Sequence, residues 1–288
     1  MPITAAALVP HPPLLVSGVG RGADDDLEQL RSACRSAVAT TLDLVDTMVI
    51  VGPAESWGAA APGTVGSFRP YGPQVEVVLP GTDPPGEPAA GNWLDRAALP
   101  SKQLAELPLS LAVAAWLLEQ EAKVRALPEV AAFTIPASLD VAAASAAGRT
   151  LAAAKGAGPA SPGATATGGA ATGAAGTRGT STATTGAARV GLLVMGDLSA
   201  RRTAKAPATF HPAAEDFDRR IGDAIRKAEL DPLLDIDAAL AAELRVGGTA
   251  ALWLLAGALE STSSLRGEVR YEAAPFGVGY LVGVVESQ

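Results

Sequence analysis

The chain has little cysteine, histidine or aromatic content for its 288 residues. Its single cysteine, Cys34, excludes an internal disulfide, which fits a reducing compartment such as the cytoplasm. One cysteine and two histidines also argue against a structural zinc site. Aromatic residues make up 4% of the sequence and hydrophobic residues 48%. The core must therefore be built largely from alanine, valine and leucine.

The sequence also lacks a basic excess and a long apolar run. The formal net charge of −8 argues against nucleic acid as a partner. The first fifteen residues have no basic segment, and prolines at 10, 12 and 13 interrupt their apolar run, so we expect no export signal. Residues 251–259 are apolar but fall well short of the roughly 20 that a membrane-spanning helix needs. We therefore expect a cytoplasmic protein with neither a membrane nor a nucleic-acid partner.

Apolar strand-like segments alternate with helical ones along most of the chain. Residues 3–10 and 47–52 are apolar throughout, as expected of strands covered on both faces. Residues 24–43 begin with acids and carry apolar side chains at three- and four-residue spacing, which predicts a helix. Later segments continue the pattern, with strands predicted at 75–80, 129–137, 188–197, 267–274 and 278–286, and helices at 107–121, 139–154, 214–229, 239–248 and 249–262. This order predicts an α/β fold with a largely parallel or mixed central sheet flanked by helices.

Two segments depart from that alternation. Residues 155–187 are nearly all Ala, Gly, Thr, Ser and Pro, and such a stretch buries too little apolar surface to offset the entropy of ordering it. We expect a disordered insertion within a single domain, 1–288, because an apolar strand resumes directly after it. Residues 53–108 are rich in Gly and Pro, and apart from the strand at 75–80 we expect loops on the rim of the sheet.

His11 is the first candidate for chemistry. It lies just past the C-terminal end of the first predicted strand, in the run VPHPPLL. In open α/β sheets, ligands gather at that edge. The flanking prolines hold the imidazole with little loss of chain entropy, which suits a metal ligand. The alternative is a histidine packed against the proline turn, with one ring nitrogen bonded to the backbone.

Three further residues could complete a site with His11. Glu55 follows the second strand and is either a metal ligand or a solvated loop acid. Asp197 follows the apolar run VGLLVM and is a ligand, a base or a turn cap. His211 stands at a loop-to-helix junction, where it is either part of the site or a helix-entry residue. We take His11 and Glu55 as metal candidates, and Asp197 and His211 as catalytic candidates.

Other chemistries have weaker support. The sequence contains no Walker loop, no GxGxxG after a strand, and no CxxC, HExxH or GxSxG motif. A hydrolase or transferase could use Ser199 with Asp197 and Arg201, but it would need His211 to come close in space. Arg201, Arg202 and Lys205 form a small basic cluster that could receive a carboxylate or phosphate, or could simply be solvated surface.

Several motifs occur together in an order that resembles a known family. VPHPPLL follows the first strand, VIVGP ends the second, and MGDLSARRTAKAP and FHPAAEDFD come later, followed by GGTAALWLLAGAL and APFGVGYLV. In this the chain resembles the class III extradiol ring-cleavage dioxygenases, and more closely an actinobacterial branch of their catalytic-subunit-like family. The resemblance covers nearly the whole chain apart from residues 155–187.

The resemblance implies a non-haem Fe(II) held by two histidines and a glutamate, with a further histidine as acid/base and open positions for a catechol and dioxygen. His11 matches the first histidine ligand. Where the family has its second histidine, this chain has Ala54 and Glu55, and where it has the acid/base histidine this chain has Ala200. The family's glutamate has no evident counterpart in VGGTAALW.

Two main functional hypotheses follow. The resemblance implies an Fe(II) oxidoreductase that acts on catecholic aromatics, with an altered and catalytically impaired metal site. The alternative is a non-catalytic binding or scaffold relative that keeps the fold and the pocket for a small aromatic or other small molecule. A homo-oligomer is compatible with both hypotheses.

Overall fold

The computed structural model describes residues 3–19, 24–72, 74–81, 99, 102–154 and 188–288. The strands of these residues are β1 Ile3–Val9, β2 Thr47–Ala54, β3 Gly58–Ala60, β4 Val65–Ser67, β5 Glu76–Val78, β6 Lys102–Gln103, β7 Glu129–Pro136, β8 Val190–Met195, β9 Leu265–Ala273 and β10 Tyr280–Ser287. The helices are α1 Asp24–Asp43, α2 Leu109–Ala122, α3 Val141–Ala153, α4 Ala214–Lys227, α5 Asp231–Leu234, α6 Ala238–Glu243 and α7 Thr249–Leu259.

One mixed sheet runs through the described domain, in the order β6-β3-β7-β2-β8-β1-β10-β9. Its centre is parallel, since β7, β2, β8 and β1 all run the same way. The C-terminal hairpin adds β10 and β9 antiparallel to β1, and β3 runs antiparallel to β7. Strands β4 and β5 form a separate antiparallel pair. The arrangement confirms the α/β fold with a mixed central sheet and flanking helices.

The central strands are largely apolar because helices cover both of their faces. Along β8, Leu192 and Val194 face one core, whereas Leu193 and Met195 face the other. Helices α1 and α2 pack in the second core, and helices α3, α4 and α7 pack in the first. Successive side chains of a strand point to opposite faces, so an uninterrupted apolar run is what a doubly covered strand requires.

Helices α3 and α7 cross in close contact at two glycines. A Cβ built on Gly148 of α3 would collide with the backbone of α7, and a Cβ on Gly257 of α7 would collide with the backbone of α3 at Ser145. Only a residue without a Cβ allows the two backbones this close. The glycine pair therefore fixes where α7 lies over the sheet.

The Gly- and Pro-rich segment after β2 holds more strand than we expected. Besides β5, it forms β3, β4 and β6, and β3 joins the main sheet beside β7. These strands have two or three residues each, too few to show a periodic pattern. The predicted insertion at 155–187 lies outside the described residues. None of the helices described is long and apolar enough to cross a bilayer.

Candidate functional site

Three of the predicted site residues follow parallel strands and so reach the same edge of the sheet. His11 comes two residues after β1, Asp197 two residues after β8, and Glu55 directly after β2. Because β8 lies between β1 and β2, the C-terminal ends of all three strands are neighbours. This is the edge where open α/β sheets bind their ligands.

At this edge the structure joins His11 to Asp197. The backbone N–H of His11 donates a hydrogen bond to Asp197 Oδ1 at 2.8 Å. The imidazole Nδ1 lies 3.8 Å from the same oxygen, which is too long for a hydrogen bond. Within the described part of the chain this Nδ1 is buried and has no hydrogen-bond partner. Both side chains are largely buried, with exposed fractions of 12% for His11 and 21% for Asp197.

A close backbone contact fixes the segment beside Asp197. The N–H of Gly248 donates to the Asp197 carbonyl at 2.9 Å, and the N–H of Gly196 donates to Val9 at 3.0 Å. A Cβ on Gly248 would lie 2.8 Å from the Cα of Gly196, closer than real Cβ atoms come. The two glycines thus bring the start of α7 against the end of β8. Backbone hydrogen bonds of Gly196 and Gly248 therefore hold the segment that carries Asp197.

The charge of Asp197 acts on two buried protic side chains, Tyr280 and Cys34. Burial, and to a smaller extent the charge of Asp197, raises the pKa of the Tyr280 phenol and of the Cys34 thiol above their ordinary values. Both groups therefore stay protonated at neutral pH, and a protonated thiol is a poor nucleophile. Sequence reasoning missed Tyr280 because 83 positions separate it from Asp197 and only the sheet pairing brings them together.

The structure places Glu55 at the same edge, directly after β2. Its side chain is exposed, and no hydrogen bond or ion pair joins it to His11 among the residues the structure describes. An unpaired carboxylate stays in water because burying it is costly. Over the described ranges, no group of three or more His, Cys, Asp or Glu side chains could hold a metal ion. A facial triad for Fe(II) needs three such donors, and the residues that the structure describes do not bring three together.

His211 is not brought to Asp197 either. Its Nδ1 accepts a hydrogen bond from the N–H of Ala213 at 3.2 Å, and its Nε2 lies 3.2 Å from Glu243 Oε1 of α6. The first contact occurs at the entry to α4, and the second ties that entry to α6. No hydrogen bond or ion pair joins the two catalytic candidates, Asp197 and His211, among the described residues, and both ring nitrogens of His211 have partners elsewhere.

Ser199 is committed to the backbone around it. The side chain is buried, and its Oγ donates to the carbonyl of Leu244 at 3.3 Å and accepts from the N–H of Arg201 at 3.2 Å. No hydrogen bond joins Ser199 to His211 in the part of the chain described. The hydrolase hypothesis thus lacks both an accessible nucleophile and a neighbouring base.

The predicted basic cluster is mostly internal. Arg201 donates to the carbonyls of Thr209 at 2.6 Å and Glu243 at 3.0 Å, and Arg202 Nη1 lies 3.1 Å from Asp218 Oδ2. Of the three basic residues only Lys205 is exposed. The first two therefore fold the loop after β8 and do not present a receptor for an anion.

Asp218 is the centre of that internal network. It is fully buried and accepts hydrogen bonds from the N–H of Ser199 at 3.0 Å and from Arg202. Burial raises the pKa of Asp218 to about 6, although the bonds from Ser199 and Arg202 oppose the shift. The sequence showed Asp218 only as one polar position of an amphipathic helix, so its burial was missed.

Comparisons with known proteins support the fold and nothing finer. No family model matches the chain, and no curated protein matches it. Among solved structures, it is similar to the crystal structure of uncharacterized protein JW3007 from Escherichia coli K12, with a TM-score of 0.55 and 15% sequence identity. The alignment covers 99% of this chain and 100% of that one. At this identity the likeness concerns the fold alone.

Proposed function

We propose that this chain is a non-catalytic relative of the class III extradiol dioxygenases that binds a small molecule at the C-terminal edge of its parallel strands. The observation that carries the proposal is the His11–Asp197 pair, in which the imidazole Nδ1 is buried without a partner. The relationship to the family rests on the sequence motifs, in particular VPHPPLL and MGDLS.

The donor set supports binding over ring cleavage. Extradiol chemistry requires a metal that polarises the catechol and receives dioxygen, and it requires a group that moves a proton. Ala54 and Ala200 occupy two of the positions where the family has histidines, and alanine supplies neither function. Glu55 is exposed and is not joined to His11 in the described residues.

The side-chain atoms without hydrogen-bond partners at this edge indicate which chemical group a ligand would carry. His11 Nδ1 lacks a partner, and no hydrogen bond to Asp197 Oδ2 is found among the residues described. A hydroxyl group both donates and accepts, so one hydroxyl can satisfy a carboxylate oxygen or an imidazole nitrogen. A small phenolic molecule combines this group with the ring that the family resemblance implies.

Calorimetric titration of metal-free protein with catechol tests the proposal. We expect binding that weakens about tenfold in His11→Ala and in Asp197→Asn, as loss of a hydrogen bond to a charged or buried group predicts. Glu55→Gln is the matched control at the same edge and leaves the affinity unchanged.

Metal and oxygen measurements separate this proposal from the enzymatic alternative. We expect no stoichiometric Fe(II) binding in an anaerobic titration, and no oxygen uptake on a panel of catechols in the presence of Fe(II). Stoichiometric iron that is lost in His11→Ala, together with oxygen uptake, would establish an active dioxygenase and refute the non-catalytic role.

A further inference from the structure

A cavity lies between α6, the first turns of α7 and the residues that follow β7. Its volume is about 230 Å³. Ser138 and Leu139 line it from the side of β7, Ala242 from α6, and Val246, Thr249 and Trp253 from the start of α7. The segment 246–249 therefore contacts both the His11–Asp197 region and this cavity. Gly247 lies against Asp197 and Gly248 against Gly196. Val246 and Thr249 line the cavity.

Trp253 lines this cavity and has a hydrogen-bond donor without an acceptor among the described residues. The side chain is 3% exposed, and its indole Nε1 is buried without an acceptor among the residues the structure describes. Buried donors are nearly always paired, by protein or by a bound molecule, because an unpaired one has lost its water without compensation. Thr249 lies one turn earlier on the same face of α7 and also lines the cavity.

The size and polarity of the cavity restrict what it holds. A cavity of roughly 150 Å³ is enough to take up benzene, so this one holds a single ring with a short substituent. None of the described residues that line it carries a charge. A charged ligand would be desolvated without a counter-charge, so a neutral ligand is favoured.

We propose that this cavity binds a neutral molecule of about one ring that carries a carbonyl-type acceptor, and that Trp253 Nε1 donates a hydrogen bond to it. This site is separate from the His11–Asp197 pair and goes beyond the function proposed above. The ligand requirement differs as well, because this site offers a donor where the other offers a carboxylate and an imidazole.

Acetophenone and ethylbenzene are matched probes, since they have nearly the same shape and differ in the carbonyl group. We expect acetophenone to bind more tightly than ethylbenzene in a calorimetric or ligand-observed NMR titration. Trp253→Phe keeps the ring and removes the donor, so acetophenone binding weakens about five- to tenfold while ethylbenzene binding does not weaken.

Two leucine variants test the cavity itself. Ala242 is exposed but lines the cavity, so Ala242→Leu fills it at little risk to folding. Ala239 is exposed on the same helix and does not line it, so Ala239→Leu is the matched control. Both probes are expected to lose binding in Ala242→Leu and to retain it in Ala239→Leu.

Three results would overturn the proposal. They are no binding of acetophenone to the unaltered protein, equal binding in the two leucine variants, or unchanged acetophenone affinity in Trp253→Phe. This test is independent of the function proposed for the other site. We expect His11→Ala to leave acetophenone binding unchanged and Trp253→Phe to leave catechol binding unchanged.

Discussion

Two groups of polar residues near the same sheet edge differ in how completely they are hydrogen bonded. One is the His11–Asp197 pair and the other is the network around Asp218. In the His11–Asp197 pair, the imidazole Nδ1 has no partner within the described chain. In the network around Asp218, the side chains of Ser199 and Arg202 and both oxygens of Asp218 are used. The groups that are satisfied internally hold the loop after β8, whereas the buried imidazole of His11 keeps one ring nitrogen without a partner.

The difference follows from the cost of burying polar groups. A buried charge is tolerated only when it is paired and hydrogen bonded, so the Asp218 network behaves as part of the core. An incompletely bonded group lowers stability in the absence of a ligand and strengthens binding when a ligand supplies the missing partner. Four predictions test this contrast between the two groups.

Removal of Arg202 is expected to have the largest effect. Arg202→Met leaves Asp218 buried without its cation, which costs about 3 kcal/mol of the free energy of unfolding at pH 8. At pH 5 the cost is smaller, because Asp218 then takes up a proton. Urea unfolding measures both values. Arg219→Met is the control, since Arg219 forms a solvent-exposed pair with Asp216 that contributes little to stability, and equal losses in the two variants would contradict the contrast.

Titration of Asp218 is expected to change stability by a somewhat smaller amount. Burial raises its pKa from 3.8 to about 6 in the folded protein. The folded state therefore binds more protons than the unfolded state between about pH 4 and pH 6, and stability falls as pH rises through that window, by about 2 kcal/mol in total. The Asp218→Asn variant lacks this pH-dependent change in the free energy of unfolding. Urea unfolding from pH 4 to pH 8 gives the difference between the two curves, and parallel curves would show that Asp218 does not titrate in this range.

The Asp197 side chain is expected to contribute less to stability than Asp218. Asp197→Ala removes the acceptor of the His11 N–H and costs about 1 kcal/mol. Asp197→Asn keeps an acceptor oxygen and changes stability by less than about 0.5 kcal/mol, although it weakens catechol binding. Thermal unfolding with calorimetric titration separates the two properties. A loss of several kcal/mol in Asp197→Asn would place this residue with the internal network.

Glu55 is expected to contribute least. Because its side chain is exposed, Glu55→Gln changes the free energy of unfolding by less than about 0.5 kcal/mol. A competition titration with a Zn(II) indicator measures any metal affinity of both proteins, and we expect no difference. A tenfold weaker Zn(II) affinity in Glu55→Gln would restore Glu55 as a ligand.

The long elements could be predicted from the sequence because their patterns are local. The helix Asp24–Asp43 has the bounds predicted from its acids and its spacing, and the apolar runs of β1, β2 and β8 predicted doubly covered parallel strands. The short strand β3 could not be predicted, since three residues of Gly and Ala have no period and only their pairing with β7 makes them a strand.

The candidate site was predictable in position and not in detail. The placement of His11 and Asp197 after parallel strands correctly predicted a shared edge. Their hydrogen bond joins residues 186 positions apart, and its geometry depends on the register of β1 against β8, which no local pattern encodes. Trp253 resembled any apolar residue of a core helix, and its unpaired Nε1 is visible only once the packing around it is known.

The glycine contacts of α7 have a mechanical consequence for the cavity beside it. Gly248 presses against the end of β8 and Gly257 against α3, so α7 is clamped near both ends and cannot slide or tilt without a backbone clash. The opposite wall is α6, a helix of six residues of which only Ala241 is buried. One wall of the cavity is therefore held in place by backbone contacts with the sheet and α3, whereas the other wall is mostly exposed to solvent.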